Sequence, residues 1–193
     1  MINHNSFIDT NLIFQAINYY QQFYNPIATP LCVDKNSVFH TLPVNNPSIK
    51  PLARNNNDGF YYVGSAEQSF INLYNEGLIQ EGAYMALTPC QRDEFEDDIH
   101  FSIFLKIELI IIGQHSRDIV LSLSHKFFNQ YSDNIDIVPS GNKPHELDIL
   151  INNIEVGSYG INQMVDGTPY TYGTGIAEPR LSYALHHKKD SLK

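Results

Sequence analysis

The chain has 193 residues and a mass of 22.0 kDa, enough for one domain with a substantial core and cramped for two. A hydrophobic fraction of 42%, with 12 Tyr and 11 Phe, belongs to a globular protein, and 17% charged residues excludes a disordered chain or a coiled coil. A net charge of -9 and a pI near 5.2 exclude the basic footprint of a nucleic-acid binder.

In chain order, Asp9 or Thr10 can cap a helix in which Ile13, Ala16, Ile17, Tyr20, Phe23 and Tyr24 recur at helical spacing until Pro26 stops it. Ile27 to Val33 reads as a short extended run. Residues Asn36 to Asp58 are rich in Asn, Pro and Ser without a sustained period, which predicts a long surface connection. Phe60 to Val63 is a predicted strand, and Ser65 caps a helix with Glu67 in its first turn, where a carboxylate complements the helix dipole.

The stretch Pro89 to Leu109 carries the densest chemistry. A β-rich run ends in Arg92 and Glu94, a mostly acidic loop follows, and a second apolar run carries His100, Phe104 and Glu108. In a strand that four-residue spacing puts His100, Phe104 and Glu108 on one face, with Ile99, Phe101, Ile103 and Leu105 on the other. An Arg for a phosphate or carboxylate, a carboxylate for an exocyclic amine and an aromatic for a base are the parts of a nucleotide site. A hairpin with an ordinary surface ion pair would carry the same pattern.

Further on, His115 to Tyr131 has helical spacing, and Ile135 to Val138 reads as a strand. Asp148 and Glu155 then stand seven residues apart across Asn152-Asn153, a pair that also suits the turn of a plain β-hairpin. Gly157 and Gly160 follow, residues that let backbone approach a ligand. Tyr172-Gly173-Thr174-Gly175-Ile176-Ala177-Glu178-Pro179-Arg180-Leu181 leads into a last helical run through Tyr183, Ala184 and Leu185. Its Gly-x-Gly has neither the third glycine of a dinucleotide fingerprint nor the Gly-Lys-Ser/Thr of a P-loop.

The order Arg-x-Glu, loop, His-x-x-x-Phe-x-x-x-Glu resembles motif 2 of the class II aminoacyl-tRNA synthetases, closest to the aspartyl, asparaginyl and lysyl group. Residues 172–181 resemble motif 3, with Ala177 for the last Gly and Pro179 where an acid is expected. The helix and Pro-bearing run over 9–33 resemble motif 1, the homodimer element. The resemblance implies an α+β fold, a mostly antiparallel sheet flanked by helices. It implies that Arg92 grips the α-phosphate and the amino-acid carboxylate, that Glu94 meets the adenine amine, that Phe104 stacks on adenine and that His100 lies near the distal phosphates. Arg180 takes the place of the γ-phosphate Arg, and Asp148 and Glu155 that of the carboxylates that hold Mg²⁺ on ATP. For the amino acid, Glu67 would hold the α-ammonium and Glu108 would lie toward the pocket beside Gly157 and Ser158. Asn162 stands where the aspartyl and asparaginyl members carry an Arg that reads the side chain.

The same resemblance implies a bare catalytic core over residues 1–193 without an anticodon-binding domain. It would be a ligase that activates a small amino acid with ATP and Mg²⁺, releases pyrophosphate and AMP, and passes the acyl group to ammonia or a small amine, as a stand-alone asparagine-synthetase-like relative does. The alternative is a non-catalytic paralogue that binds an amino acid or nucleotide and regulates a partner. A homodimer is expected and tRNA is not. Cys32 and Cys90 form no disulfide framework, the histidines show no paired metal spacing, and with no signal peptide or membrane span the chain is expected in the cytoplasm.

Overall fold

The structure is a computed structural model that describes residues 7–42, 51–54, 58–93, 96–140 and 145–187. Asp9 opens the first helix by accepting hydrogen bonds from the backbone N–H of Asn11 and Leu12, and α1 (Thr10–Tyr20) buries Leu12, Ile13, Ala16 and Tyr20. The extended run expected over 27–33 is divided. Its neighbours β1 (Asn25–Pro26) and β2 (Cys32–Asp34) belong to different sheets, β1 pairing with β4 (Gly82–Gln91) and β2 with β3 (Phe60–Tyr62).

The connection predicted from Asn36 onward begins as a helix instead. Asp34 accepts from the N–H groups of Asn36 and Ser37 and from the Ser37 hydroxyl, so α2 (Lys35–Thr41) forms on a cap that composition alone hid. Ser65 caps α3 (Ala66–Asn75), as its sequence suggests. After β4 come β5 (Ile103–Ile112), α4 (Arg117–Phe128), β6 (Ile135–Pro139), β7 (Leu147–Ile151), β8 (Ile154–Gln163), β9 (Pro169–Glu178) and α5 (Arg180–His186). Among the described residues no helix is long and apolar enough to cross a membrane.

The main sheet has seven strands in the order β1-β4-β5-β9-β8-β7-β6, antiparallel throughout except for the short β1–β4 pairing. This is the expected α+β architecture. One sheet face carries Ile107, Leu109, Ile149, Ile151 and Ile176 against α1 and α4, with Tyr20 packed on Phe127 at a ring separation of 5.4 Å. On the opposite face, Ala86, Ile110, Ile112, Tyr170 and Tyr172 meet Phe70 and Ile71 of α3. The part of this face that α3 leaves uncovered holds the candidate site.

The tyrosines at the end of α1 are therefore core. Tyr20 is fully buried and donates from its hydroxyl to the carbonyl of Gly175 at 3.1 Å, and Tyr24 is 3% exposed. Tyr20 and Tyr24 therefore need no second subunit to bury them, since both sit in the core cluster of this chain with Phe127 of α4. What α1 and the turn after it leave exposed is Phe14 and Phe23.

Candidate active site

The β4–β5 hairpin sets Cys90 opposite Phe104, Thr88 opposite Lys106 and Ala86 opposite Glu108, so Phe104, Lys106 and Glu108 project from one face of a central strand. His100 does not join them. Asp97 accepts from the N–H groups of Ile99 and His100 and from Nδ1 of His100 at 2.8 Å, a turn that keeps the chain out of extension until Ile103. Phe101, assigned by alternation to the core face, instead packs with Cys90 and Phe104 at the site, and Ile103 is 64% exposed. Glu94 lies outside the described residues.

At the end of β4, Arg92 donates from Nε to the carbonyl of Gly64 at 2.9 Å, and its guanidinium carbon lies 4.9 Å from the centre of the Phe104 ring. This stacking fixes the guanidinium over the aromatic face. Arg180, at the start of α5, donates from Nε to the carbonyl of Ile99 and reaches Glu155 at 3.6 Å. Both arginines line one cleft of about 540 Å³, with Phe101, Phe104, Lys106, Glu155, Gly157 and Ser158.

Glu155 reaches this cleft through an irregularity in β8. Leu150 pairs with Glu155 but Ile149 pairs with Gly157, so one residue of β8 is bulged out and Glu155 shares a face with Ser158, three positions away. The turn at Asn152 and Asn153, with φ of 54° and 67°, is the hairpin turn that the sequence allowed. Asp148, paired with Ser158, accepts from its hydroxyl at 2.7 Å. Burial raises the Asp148 carboxyl above the usual carboxylate range, the Ser158 hydrogen bond opposes this, and the charges of Glu155 and Glu146 add to the rise. The hairpin and the acidic pair thus coexist.

A second cleft, of about 790 Å³, lies between α2, the start of α3 and the sheet. Its walls include Val38, Thr41, Leu42, Tyr62, Glu67, Gln68, Glu146 and Tyr172. Glu67 is 6% exposed and accepts from the Tyr170 hydroxyl at 2.8 Å; Glu146 accepts from the Tyr172 hydroxyl at 2.6 Å. Burial, followed by these carboxylates, raises both phenols, so they remain donors at any working pH. The α2 residues, Glu146 and Tyr172 carry no signal that sequence reasoning singles out. Only the Asp34 cap could point to α2, and nothing in a single chain marks Glu146.

Glu108 is fully buried, with Oε2 bonded to the Ser65 hydroxyl and 2.7 Å from Lys106 Nζ, and lies below the lining of both clefts. The Gly157 backbone lines the first cleft, but a Cβ there would stand 2.6 Å from the Tyr159 hydroxyl, so the missing side chain makes room for a core tyrosine. Asn162 lies farther along β8 than the residues lining either cleft, paired with Tyr170. Cys90 is no nucleophile: burial pushes its thiol up to about 12, leaving almost no thiolate at neutral pH. Among the described residues no three His, Cys, Asp or Glu side chains cluster as metal ligands; of the Asp148–Glu155 pair, Glu155 lines the first cleft and Asp148 lines neither.

Two solved structures of a pyrrolysyl-tRNA synthetase from Desulfitobacterium hafniense superpose on this chain with TM-scores of 0.70 and 0.69. Each alignment covers 90% of this chain and 67% of the synthetase chain, at 13% and 14% identity. The fold is that of a class II synthetase catalytic domain. No protein-family model and no curated protein sequence matches the chain. The candidate site occupies the sheet face that α1 and α4 leave free, with Arg92 and Arg180 lining one cleft.

Proposed function

We propose that the chain is an ATP-dependent ligase that activates a small amino acid as its acyl adenylate and transfers the acyl group to ammonia or a small amine. The observation that carries this reading is the meeting of two clefts at Arg92. One is walled by the arginines and Phe104, as a nucleotide requires, and the other contains Glu67, a buried carboxylate suited to an ammonium. Arg92 is common to both, where a cation would hold the α-phosphate and the amino-acid carboxylate together.

In the first step a carboxylate oxygen attacks the α-phosphorus, the bond to the bridging oxygen breaks, and pyrophosphate leaves with the electron pair. No protein base is needed, since the carboxylate is already a nucleophile; Arg92 and Arg180 act by orientation and charge. In the second step the neutral amine attacks the acyl carbon, AMP leaves, and the amine proton passes to solvent. Asp148 and Glu155 on one sheet face fit Mg²⁺, which takes one or two carboxylates beside phosphate oxygens and waters. It would supply positive charge to the phosphates. Glu94 is assigned to the nucleotide and Gly157 and Ser158, with Glu108 beneath the lining, to the amino-acid side, in keeping with the aspartyl, asparaginyl and lysyl pattern; His100 and Asn162, which line neither cleft, are left without a role.

Thermal shift with each of the twenty amino acids, with ATP and Mg²⁺, tests the reading. One amino acid should raise the melting temperature further with ATP than without it, and the same one should support ATP–pyrophosphate exchange. ATP binding with no exchange for any amino acid would sink the ligase and leave a nucleotide-binding regulator.

A further inference from the structure

The two clefts share three side chains, Arg92, Lys106 and Ser158. Ser158 is committed to Asp148. Lys106 is an unassigned position of the stretch that resembles motif 2, yet it occupies the middle of the central strand β5, opposite Thr88 on one side and Ala177 on the other. We propose that Lys106 is a second cation at the reacting centre, one that binds the α-phosphate and the incoming carboxylate together with Arg92. This rests on the ligase reading.

The geometry around its ammonium supports the assignment. Nζ lies 2.7 Å from Glu108 Oε2 and 3.4 Å from the Ser65 hydroxyl, and Ser65 donates to the same Glu108 oxygen. An ammonium has three N–H groups. Two have these partners, and no described residue accepts the third. The side chain is 13% exposed whereas that of Glu108 is 1% exposed, so the lysine forms the cleft surface and the glutamate its foundation. The other Glu108 oxygen is buried without a hydrogen-bond partner, a cost that a pair serving only to clip α3 to the sheet gives no reason to bear. Glu108, buried beneath the ammonium, and Ser65, on the wall of the second cleft, hold it at the junction.

The reaction needs such a group. It brings two anions into contact, a carboxylate and a phosphate, and their repulsion grows as water is expelled. Arg92 is already bound to the Gly64 carbonyl and stacked on Phe104, and Arg180 lies toward Glu155 at the other side of the first cleft. Lys106 joins Arg92 as a cation on both cleft walls, where the two anions would meet.

AMP and adenosine are the probes, since they differ only in the phosphate. Calorimetric titration of the full chain should show AMP binding at least tenfold weaker in Lys106→Met than in the wild type, with adenosine affinity unchanged. Lys106→Arg should keep AMP affinity within about threefold, because it keeps the charge. Since Lys106→Met leaves Glu108 buried without its partner, Lys106→Met/Glu108→Gln, which removes both charges, is measured beside it and should show the same selective loss. Equal AMP affinity in wild type and variants would overturn the assignment, as would parallel losses for AMP and adenosine, the mark of a structural role. A wild type that binds neither AMP, adenosine nor ATP would overturn the nucleotide cleft, and with it both the ligase reading and this one.

Discussion

Replacing Arg92 by Ala separates its role in folding from its role in the reaction. The folded protein loses one hydrogen bond to the Gly64 carbonyl, about 1 kcal/mol, and the stacking on Phe104, about 0.5–1 kcal/mol at a partly exposed site. For a chain of this size a loss of about 2 kcal/mol lowers the melting temperature by roughly 4–8 °C. If the guanidinium binds the charge that develops at the α-phosphate, its removal costs about 3–4 kcal/mol more of transition-state stabilisation, a rate loss of about 10²–10³. ATP–pyrophosphate exchange at 25 °C, well below the melt, reads the second quantity without the first. Arg92→Lys should lie between, keeping charge but losing the planar fork. Exchange by Arg92→Ala within about twofold of the wild type, in a protein melting as expected, would refute the placement of the reacting phosphate beside this side chain.

Phe104→Leu keeps the packing against Cys90 and Phe101 but removes the stacking ring, so it should raise the ATP KM about tenfold and leave the amino-acid KM alone. Asp148→Asn should abolish Mg²⁺-dependent exchange and yet melt higher than the wild type at pH 7. The raised Asp148 carboxyl destabilises the fold most at pH above its folded pKa, and that penalty lifts as pH falls from the folded pKa towards the ordinary value; the difference in melting temperature must therefore shrink on acidification, and a lower melt at pH 7 would contradict it. Sedimentation at micromolar concentration should show a homodimer, now expected through Phe14 and Phe23 and weakened by Phe14→Glu; a 22 kDa species alone would refute it. Incubation with the activated amino acid, ATP and total tRNA should leave no ester-linked amino acid on tRNA, because Asp97 and Asp98 on the β4–β5 loop present like charge to a phosphate backbone; ammonium should stimulate AMP release instead.

The fold is legible in the sequence where a residue type determines local geometry. Ser65 caps α3, the periodicity over 115–131 contains α4 (Arg117–Phe128), and Asn152-Asn153 adopts the left-handed turn that joins β7 to β8. The connection after Asp34 departs from expectation because Asn-, Pro- and Ser-rich composition outweighs a single capping carboxylate in any reading of the chain. What covers the tyrosines of α1 is illegible for another reason. Their periodicity shows that they are covered, but whether by α4 or by a second chain depends on contacts more than one hundred residues apart, such as that of the Tyr19 hydroxyl with the Leu123 carbonyl.

The candidate site divides along the same physical line. Arg92, Phe104, Asp148, Glu155 and Arg180 carry charge or an aromatic face, and a fixed spacing along one chain is enough to single them out; all but Asp148 line the first cleft. Glu155 shows how narrow that margin is, since only the bulge in β8 puts it on the same face as Ser158. His100 fails by strict alternation because Asp97 captures the two N–H groups that an extended strand would have used elsewhere. Lys106 and Glu146 are invisible for the opposite reason. A lysine in a predicted strand and an acid before one are ordinary surface residues until the sheet closes, and it is the burial of Glu108 beneath Lys106, and of Glu146 beside Tyr172, that turns them into fixed charges inside a cleft. A sequence shows which groups can do chemistry; the sheet decides which of them are held, desolvated, where a ligand would have to meet them.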